Sequence, residues 1–180
     1  MTDPKPLAGR AEIVLSSLRR TRQVRQFTDE PVSDDDLHAI LEVARWSGSS
    51  ANRQSWTFIV IRDRGVRARF AELSPNARHI AGAAVAIAIA MGGDNAEGDA
   101  YDEGRAAERI LIAATALGLG AAIGWAIGPV RPQVAELLGL TPPAFVRTIV
   151  SIGHPTEAGR QPKSAPGAAR RPLKDLVRER

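Results

Sequence analysis

Residues 83–91, "AAVAIAIAM", decide between a helical and a mixed fold for this chain. The alanine content favours a helix. However, Val85, Ile87 and Ile89 alternate with alanine, and a period of two residues is typical of a β-strand. Because both faces of such a strand are apolar, it belongs inside a sheet that is covered on both sides. We therefore predict a buried strand here, with another element packed very close to its alanine face.

Two more stretches are predicted strands, and helical segments separate the three. The β-rich runs are "WTFIVIRD" at 56–63 and "FVRTIVSIG" at 145–153. The predicted helices are residues 10–20, a helix within 31–46 that starts at a Ser33–Asp36 capping box, and residues 65–73, 104–120 and 131–140. This interleaving predicts a layered α/β arrangement in which helices cover a sheet.

The strongest predicted helix is "GRAAERILIAATALGLG" at 104–120. Between Ile110 and Leu117 it is apolar almost all round, so we expect it to be buried, in part within a subunit interface. We expect the acidic residues near its beginning to form a solvated helix start: Asp102, Glu103 and Glu108.

Composition excludes several classes of function. The chain has 180 residues, of which 44% are hydrophobic and 24% charged, as in one globular domain with its own core. The sequence shows neither a membrane-length apolar run nor a secretory signal, so we expect a cytoplasmic protein. A net charge of +4 with only 4% aromatic residues argues against a nucleic-acid binder. Without cysteine, and without histidines or carboxylates at ligand spacing, we expect no metal site.

Three stretches could contact a ligand, although each also has a purely structural interpretation. "RRTRQVRQF" at 19–27 is either a phosphate clamp or a solvated basic turn. "GSSANRQSWTF" at 48–58 offers hydroxyls and carboxamides to a heterocycle edge, or is a capped turn before a strand. "GLGAAIG" at 118–124 either lets the backbone approach a flat ring or caps a helix. A Rossmann site is not expected, because no G-x-G-x-x-G follows a strand and opens a helix.

Taken together and in order, these motifs resemble the nitroreductase family of FMN-dependent NAD(P)H oxidoreductases. The matching stretches are "TRQVRQFTDEPV" (21–32), "ARWSGSSANRQSW" (44–56), "AATALGLG" (113–120), "SIGHPTE" (151–157) and "ARRPL" (169–173). The resemblance runs from about residue 12 to the C-terminus. Each motif alone is weak, and the ordered set is specific.

The resemblance implies a fold and an activity. It implies an α+β fold, residues 1–180 forming a single FMN-binding domain with a central, mainly antiparallel sheet, and a C-terminal arm (155–180) exchanged in a homodimer. It implies an enzyme in which a hydride passes from NAD(P)H through flavin N5 to a small acceptor such as a nitroaromatic or a quinone. No catalytic side chain is expected, because the flavin carries the chemistry. A non-catalytic flavin-binding protein and other flavin chemistry on this fold, such as reductive dehalogenation or flavin fragmentation, remain alternatives.

The resemblance also implies a set of cofactor-binding residues. In the first motif, the residues implied to hold the phosphate, the ribityl chain and the O2/N1 side of the ring are Arg22, Gln23 and Arg25. The pyrimidine edge would be contacted by Asn76 and His79, and the ring face by Gly124. In the entrance stretch, the residues implied to serve the flavin of the partner subunit are Ser49, Ser50 and Asn52. Arg170 would complete the phosphate clamp, with Arg171 as the alternative.

This chain departs from the family motifs at several of these positions. Thr21 stands where many members have an arginine, Gln23 replaces a serine, and His79 replaces a lysine. Gly48 and Ser55 replace two prolines. The resemblance therefore leaves open whether fewer charges hold the phosphate in this protein or whether the motif is shifted so that Arg20 takes part.

Overall fold

The computed structural model describes residues 9–161 and 170–179, which form four strands and six α-helices. The strands are β1 (Trp56–Ile61), β2 (Val85–Met91), β3 (Gly120–Trp125) and β4 (Phe145–Gly153). The helices are α1 (Gly9–Arg20), α2 (Asp34–Arg45), α3 (Arg64–Leu73), α4 (Ala96–Ala116), α5 (Arg131–Leu137) and α6 (Glu157–Arg160). Of the predicted C-terminal arm, 155–180, residues 162–169 and 180 lie outside the described part of the chain.

The sheet is antiparallel throughout and has the strand order β1-β2-β4-β3. Strand β2 lies inside it, with all seven residues buried, as the alternating pattern predicts. Ile89 of β2 faces Phe58 of β1 on one side and Thr148 of β4 on the other. The predicted α+β fold with a central antiparallel sheet is therefore confirmed.

Each face of β2 contributes to a different core. The branched face packs with α2 and α4, through Ile87, Ile89, Ile40, Ala44 and Ile110. The alanine face packs with α3, α5 and the 3-10 segment Pro75–Gly82, through Ala86, Ala88, Phe70, Ile80 and Val134. Because the small side chains lie on the strand, the large ones come from the helices that cover it. This confirms the close packing that the alanines predict.

Strand β3 was missed by the sequence prediction, which had only three strands. Its sequence, "GAAIGW", has one β-branched residue among glycines and alanines, so local propensity does not favour a strand. Close packing against this strand requires small residues instead. A Cβ at Gly120 would lie 2.7 Å from Cγ1 of Val24, so only glycine lets the segment around Val24 approach this edge of the sheet. Gly118, with φ of +77°, ends the preceding helix, which confirms the helix-cap interpretation at that position.

Helix α4 is longer than predicted, and the expected solvated start was wrong. It begins at Ala96, with Asn95 accepting from the N–H of Gly98, so the predicted start at residue 104 lies well inside it. Asp102 and Glu103 are buried, at 1% and 4% exposure, whereas Glu108 is exposed. At the other end Leu117 is 41% exposed, so the predicted burial of this apolar stretch is incomplete within one chain. None of the helices in the described residues is long and apolar enough to cross a membrane.

Candidate functional site

A cavity of about 630 Å³ lies at the end of α1, between the following extended segment, α4 and α6. It is open to solvent and strongly basic. Its lining combines parts of the chain that are far apart in sequence: residues 19–26, Glu108 and Leu111, residues 158, 159 and 161, and Arg170. Among the predicted site residues, the fold brings together Arg22, Gln23, Arg25 and Arg170 here.

The segment that carries the first three of these residues is held against the edge strand β3. The N–H of Val24 donates to the carbonyl of Ala121 at 2.8 Å, and the backbones of Gln23 and Ala121 form a parallel bridge. The Val24 side chain is 7% exposed and packs against Gly120. Because this extended segment is fixed by backbone pairing, its side chains have defined positions at the cavity wall.

The Gln23 side chain is engaged with the same strand. Its Oε1 accepts from the N–H of Ile123 at 2.7 Å. The bond satisfies a backbone donor on the outer edge of β3, which has no neighbouring strand among the described residues. Gln23 therefore has a structural role that the serine usual at this position would be too short to fulfil in the same way, and its amide NH₂ remains a donor.

Five arginines give the cavity its charge: Arg19, Arg20, Arg22, Arg25 and Arg170. Glu108 is the single carboxylate among the lining residues that the structure describes. Arg22 donates from Nη2 to the carbonyl of Arg160 and so ties the first motif to α6. Arg170 lies at the cavity, whereas the adjacent Arg171 donates to the carbonyl of Asp175 at 3.1 Å. Such a concentration of guanidinium groups favours an anionic ligand, phosphate above all.

The entrance stretch, residues 48–55, lies elsewhere and does not line this cavity. The hydroxyl of Ser49 accepts from the N–H of Gln54 at 2.9 Å, and the Asn52 side chain accepts from Nε2 of Gln54 at 3.2 Å. Ala51, Asn52 and Gln54 have φ of 50°, 54° and 50°, in the left-handed region that costs energy for residues with a side chain. Three such residues in one short loop indicate a backbone held in shape by its surroundings, as at many ligand sites.

Buried carboxylates on α4 hold this loop, and the sequence interpretation missed them. Both Oδ atoms of Asp102 accept from the N–H of Ser50, at 3.3 and 3.1 Å. Asp99, 2% exposed, accepts from the Ser55 hydroxyl at 3.3 Å and from the N–H of Gly93 at 3.0 Å. Helical spacing could have identified them, because residues 99, 102 and 103 continue the face of the buried positions 106 and 110.

Glu103 lies on the same buried face but has a different partner. It forms an ion pair with Arg147 of β4, whose guanidinium also lies 5.6 Å from the centre of the Phe145 ring. Burial raises the pKa of Glu103, and the opposing effect of Arg147 does not cancel it. This pair therefore joins α4 to the sheet at a cost in desolvation.

His79 and Gly124 lie close to each other, and neither is among the residues that line the basic cavity. Nδ1 of His79 lies 2.8 Å from the Ser151 hydroxyl, which donates to the carbonyl of Ala122 at 3.2 Å. A Cβ at Gly124 would lie 2.8 Å from Cβ of Ala77 and 3.1 Å from Nε2 of His79, so packing explains this glycine. Asn76, in the same 3-10 segment as His79, is exposed. In the described part of the chain no group of acidic or histidine residues could hold a metal ion.

Comparison with known proteins agrees with this architecture. Residues 18–77 match the model of the nitroreductase family. The FMN reductase [NAD(P)H] of Bacillus subtilis is 30% identical over 180 residues, covering 87% of this chain and 71% of that protein. A putative NADH dehydrogenase/NAD(P)H nitroreductase of Archaeoglobus fulgidus is 29% identical, covering 81% of this chain and 87% of that protein.

A solved structure extends the similarity to nearly the whole chain. A putative nitroreductase from Desulfovibrio desulfuricans, determined in complex with FMN, is 32% identical and superimposes with a TM-score of 0.76, covering 93% of this chain and 96% of that one. The sequence motifs, the antiparallel sheet and these relatives agree, and the chain belongs to the nitroreductase family.

Proposed function

We propose that this protein is an FMN-dependent oxidoreductase that takes reducing equivalents from NAD(P)H and passes them to a small acceptor such as a nitroaromatic or a quinone. One observation carries the proposal. The first motif and Arg170, which are far apart in sequence, meet at one basic cavity. They do so in a chain that is 32% identical to a nitroreductase whose structure is in complex with FMN.

The residues at the cavity fit the phosphate end of FMN. Arg22, Arg25 and Arg170 supply guanidinium groups, which match phosphate oxygens, and Gln23 supplies an amide donor for a polyol chain. The volume of about 630 Å³ is in the range of sites for small organic ligands. The arginines at 19 and 20 also line the cavity, so the absence of an arginine at Thr21 does not leave it poor in positive charge.

The chain's own side chains bind and orient, and none is proposed to react. FMN, when bound, supplies hydride acceptance at its N5 atom. The charge of Arg25 favours negative charge on the ligand near it. Asn76 and His79 are proposed to meet the pyrimidine edge, with Gly124 beside the ring, while Ser49, Ser50 and Asn52 are proposed to serve the flavin of the partner subunit.

A homodimer of single-domain chains is part of this proposal. Several apolar side chains of α1 are largely exposed, including Ile13 at 68% and Val14 at 57%. The part of the C-terminal arm that the structure describes also exposes apolar side chains, with Leu173 at 74% and Leu176 at 58% exposure. Exposed apolar residues on a helix and on an arm support an interface that a second copy would cover. The arm also carries Arg170, so assembly and cofactor binding would be linked.

Anaerobic titration tests the proposed activity directly. The purified protein is reconstituted with FMN, and NADH or NADPH is added without oxygen. We expect the absorbance of the bound flavin to bleach, and then to return when a nitroaromatic or a quinone is added. Bound flavin that neither nucleotide reduces would instead identify a non-catalytic flavin binder. Failure to bind FMN even after reconstitution would refute the cofactor assignment.

A further inference from the structure

A second cavity, of about 360 Å³, lies where α3 begins, against the segments 28–31 and 81–84. Within the described part of the chain it shares no lining residue with the first cavity. Its lining is polar on one side and made of small residues on the other: Thr28, Asp29, Pro31, Arg64, Arg67 and residues 81–84. The space beside Gly82 is open, since a Cβ there would meet no atom within 4 Å. The proposed function leaves this cavity without a role.

Arg67 is the unusual residue in this cavity. It is only 7% exposed, yet within the described residues no carboxylate lies at ion-pair distance from its guanidinium. Its Nη1 donates to the carbonyl of Arg62, and its buried Nε has no acceptor in the same part of the chain. A buried charge without a counter-ion is costly, because it has lost its water and gained no opposite charge.

The neighbouring charges increase this imbalance. Burial lowers the pKa of Arg67, and the positive charge of Arg64 lowers it further, against a smaller opposite effect of Asp63. Asp63 is engaged as the N-cap of α3, accepting from the N–H of Val66 at 2.8 Å. Asp34 is paired with Arg62. Asp29 lines the cavity but forms no ion pair with Arg64 or Arg67 in the described structure.

We propose that this second cavity is an anion-binding site for a phosphate group, with Arg64 and Arg67 as its guanidinium donors and Thr28 as a hydroxyl donor. An anion there would supply the counter-charge that Arg67 lacks and an acceptor for those of its guanidinium N–H groups that face the cavity. The helix end is not the binding element, because Asp63 already caps it. The phosphate is either free or part of a nucleotide, and the chemistry of recognition is the same for both.

Calorimetric titration with inorganic phosphate tests this site, at constant ionic strength and with FMN saturating the first cavity. We expect Arg64→Gln and Arg67→Met to weaken phosphate binding by about tenfold or more, as for the loss of a charge-assisted hydrogen bond. Asp29→Asn should strengthen binding, because it removes the negative charge of the carboxylate that lines the cavity. Arg69→Gln is the matched control, since Arg69 is on the same helix, is paired with Glu72 and does not line the cavity.

One further variant keeps the test decisive. If Arg67→Met does not fold, Arg67→Lys retains the charge and should bind phosphate more weakly than the wild type. Phosphate held in the first cavity would be insensitive to Arg64→Gln and Arg67→Lys, because neither residue lines that cavity, and this separates the two sites whether or not FMN binds. An absence of phosphate binding by the wild type, or equal binding by Arg64→Gln, would refute the proposal.

The source of the phosphate is resolved by comparing adenosine 2′,5′-bisphosphate with adenosine 5′-monophosphate and with inorganic phosphate. Tighter binding of the bisphosphate, lost in Arg64→Gln, would identify the 2′-phosphate of a nucleotide as the ligand. Equal or weaker binding of both nucleotides would identify the free anion. Both results support an anion site at Arg64 and Arg67.

Discussion

The backbone N–H of Ser50 donates to both carboxylate oxygens of Asp102, at 3.1 and 3.3 Å. Asp102 is 1% exposed and Ser50 belongs to a loop with three residues at positive φ. A buried side chain of α4 therefore holds a strained surface loop in place. Because the loop is proposed to serve the flavin of the partner subunit, this bond connects the core to a part of the proposed site that lies outside the first cavity.

Asp102→Ala should destabilise the chain by about 1–3 kcal/mol, because the N–H of Ser50 loses its acceptor. Urea unfolding measures this change. Asp102→Asn keeps an acceptor oxygen and should cost less, so it is the matched control. Hydrogen exchange at Ser50 should become faster in Asp102→Ala, and unchanged exchange would contradict the role of this bond.

Arg22→Ala and Arg170→Ala should each weaken FMN binding. The loss of one charge-assisted contact costs about 1.5–3 kcal/mol, which corresponds to a roughly tenfold to hundredfold higher Kd. Flavin fluorescence measures the affinity. Arg171→Ala is the control, since this neighbour donates to the carbonyl of Asp175 and should bind FMN as the wild type does. Wild-type affinity in both Arg22→Ala and Arg170→Ala would remove the two residues from the site.

Glu103 should make stability depend on pH. Burial raises the pKa of Glu103 above its ordinary value of 4.5, so between these two values the folded chain holds a proton that the unfolded chain has lost. Stability from this group is therefore present at low pH and decreases as the pH rises from about 4.5 through the folded pKa. Glu103→Gln should lack this decrease. The free energy of unfolding of the variant, minus that of the wild type, should therefore increase as the pH rises.

Unfolding of both proteins from pH 4.5 to 8 measures this difference. Glu108→Gln, an exposed substitution on the same helix, is the control and should retain the pH dependence of the wild type. Parallel curves for the wild type and Glu103→Gln would show that the buried carboxyl is not responsible.

His79 should carry its proton on Nδ1 when it is neutral. The single hydroxyl hydrogen of Ser151 is donated to the carbonyl of Ala122, so the Ser151 oxygen can only accept from Nδ1. Nitrogen-15 NMR distinguishes the two tautomers. Ser151→Ala should shift the equilibrium toward the Nε2-protonated form, while the His154 signals stay unchanged. A dominant Nε2-protonated form in the wild type would reverse the assignment.

Dimer formation and flavin binding should be lost together. Truncation after Gly159 removes the arm with Arg170, and we expect it to lose FMN and to weaken the dimer. Leu117→Asp should also abolish FMN binding, although Leu117 does not line the first cavity, if an interface on the order of 2,000–5,000 Å² forms over α4. Native mass spectrometry reports both properties. A monomer of 19.2 kDa that retains FMN would contradict this linkage.

Local pattern was sufficient for most elements of the fold. The period of two in β2 identified the central strand, and the Ser33–Asp36 pair located the start of α2, where the hydroxyl both accepts from the Asp36 N–H and donates to its carboxylate. These predictions succeeded because alternation and capping depend on residues close together in the chain. The ordered motifs also indicated the family, since each motif is a short stretch of sequence that can be recognised without knowing its contacts with distant residues.

Tertiary structure alone decided the features that depend on distant partners. Strand β3 forms through its pairing with β4, and the buried carboxylate of Asp102 has an acceptor role only because the fold brings the N–H of Ser50 to it. The basic cavity also depends on distant residues, since Arg170 and the first motif line it together although they are far apart in sequence. In each case the free energy comes from burial and from hydrogen bonds between segments far apart in sequence, which no local window contains.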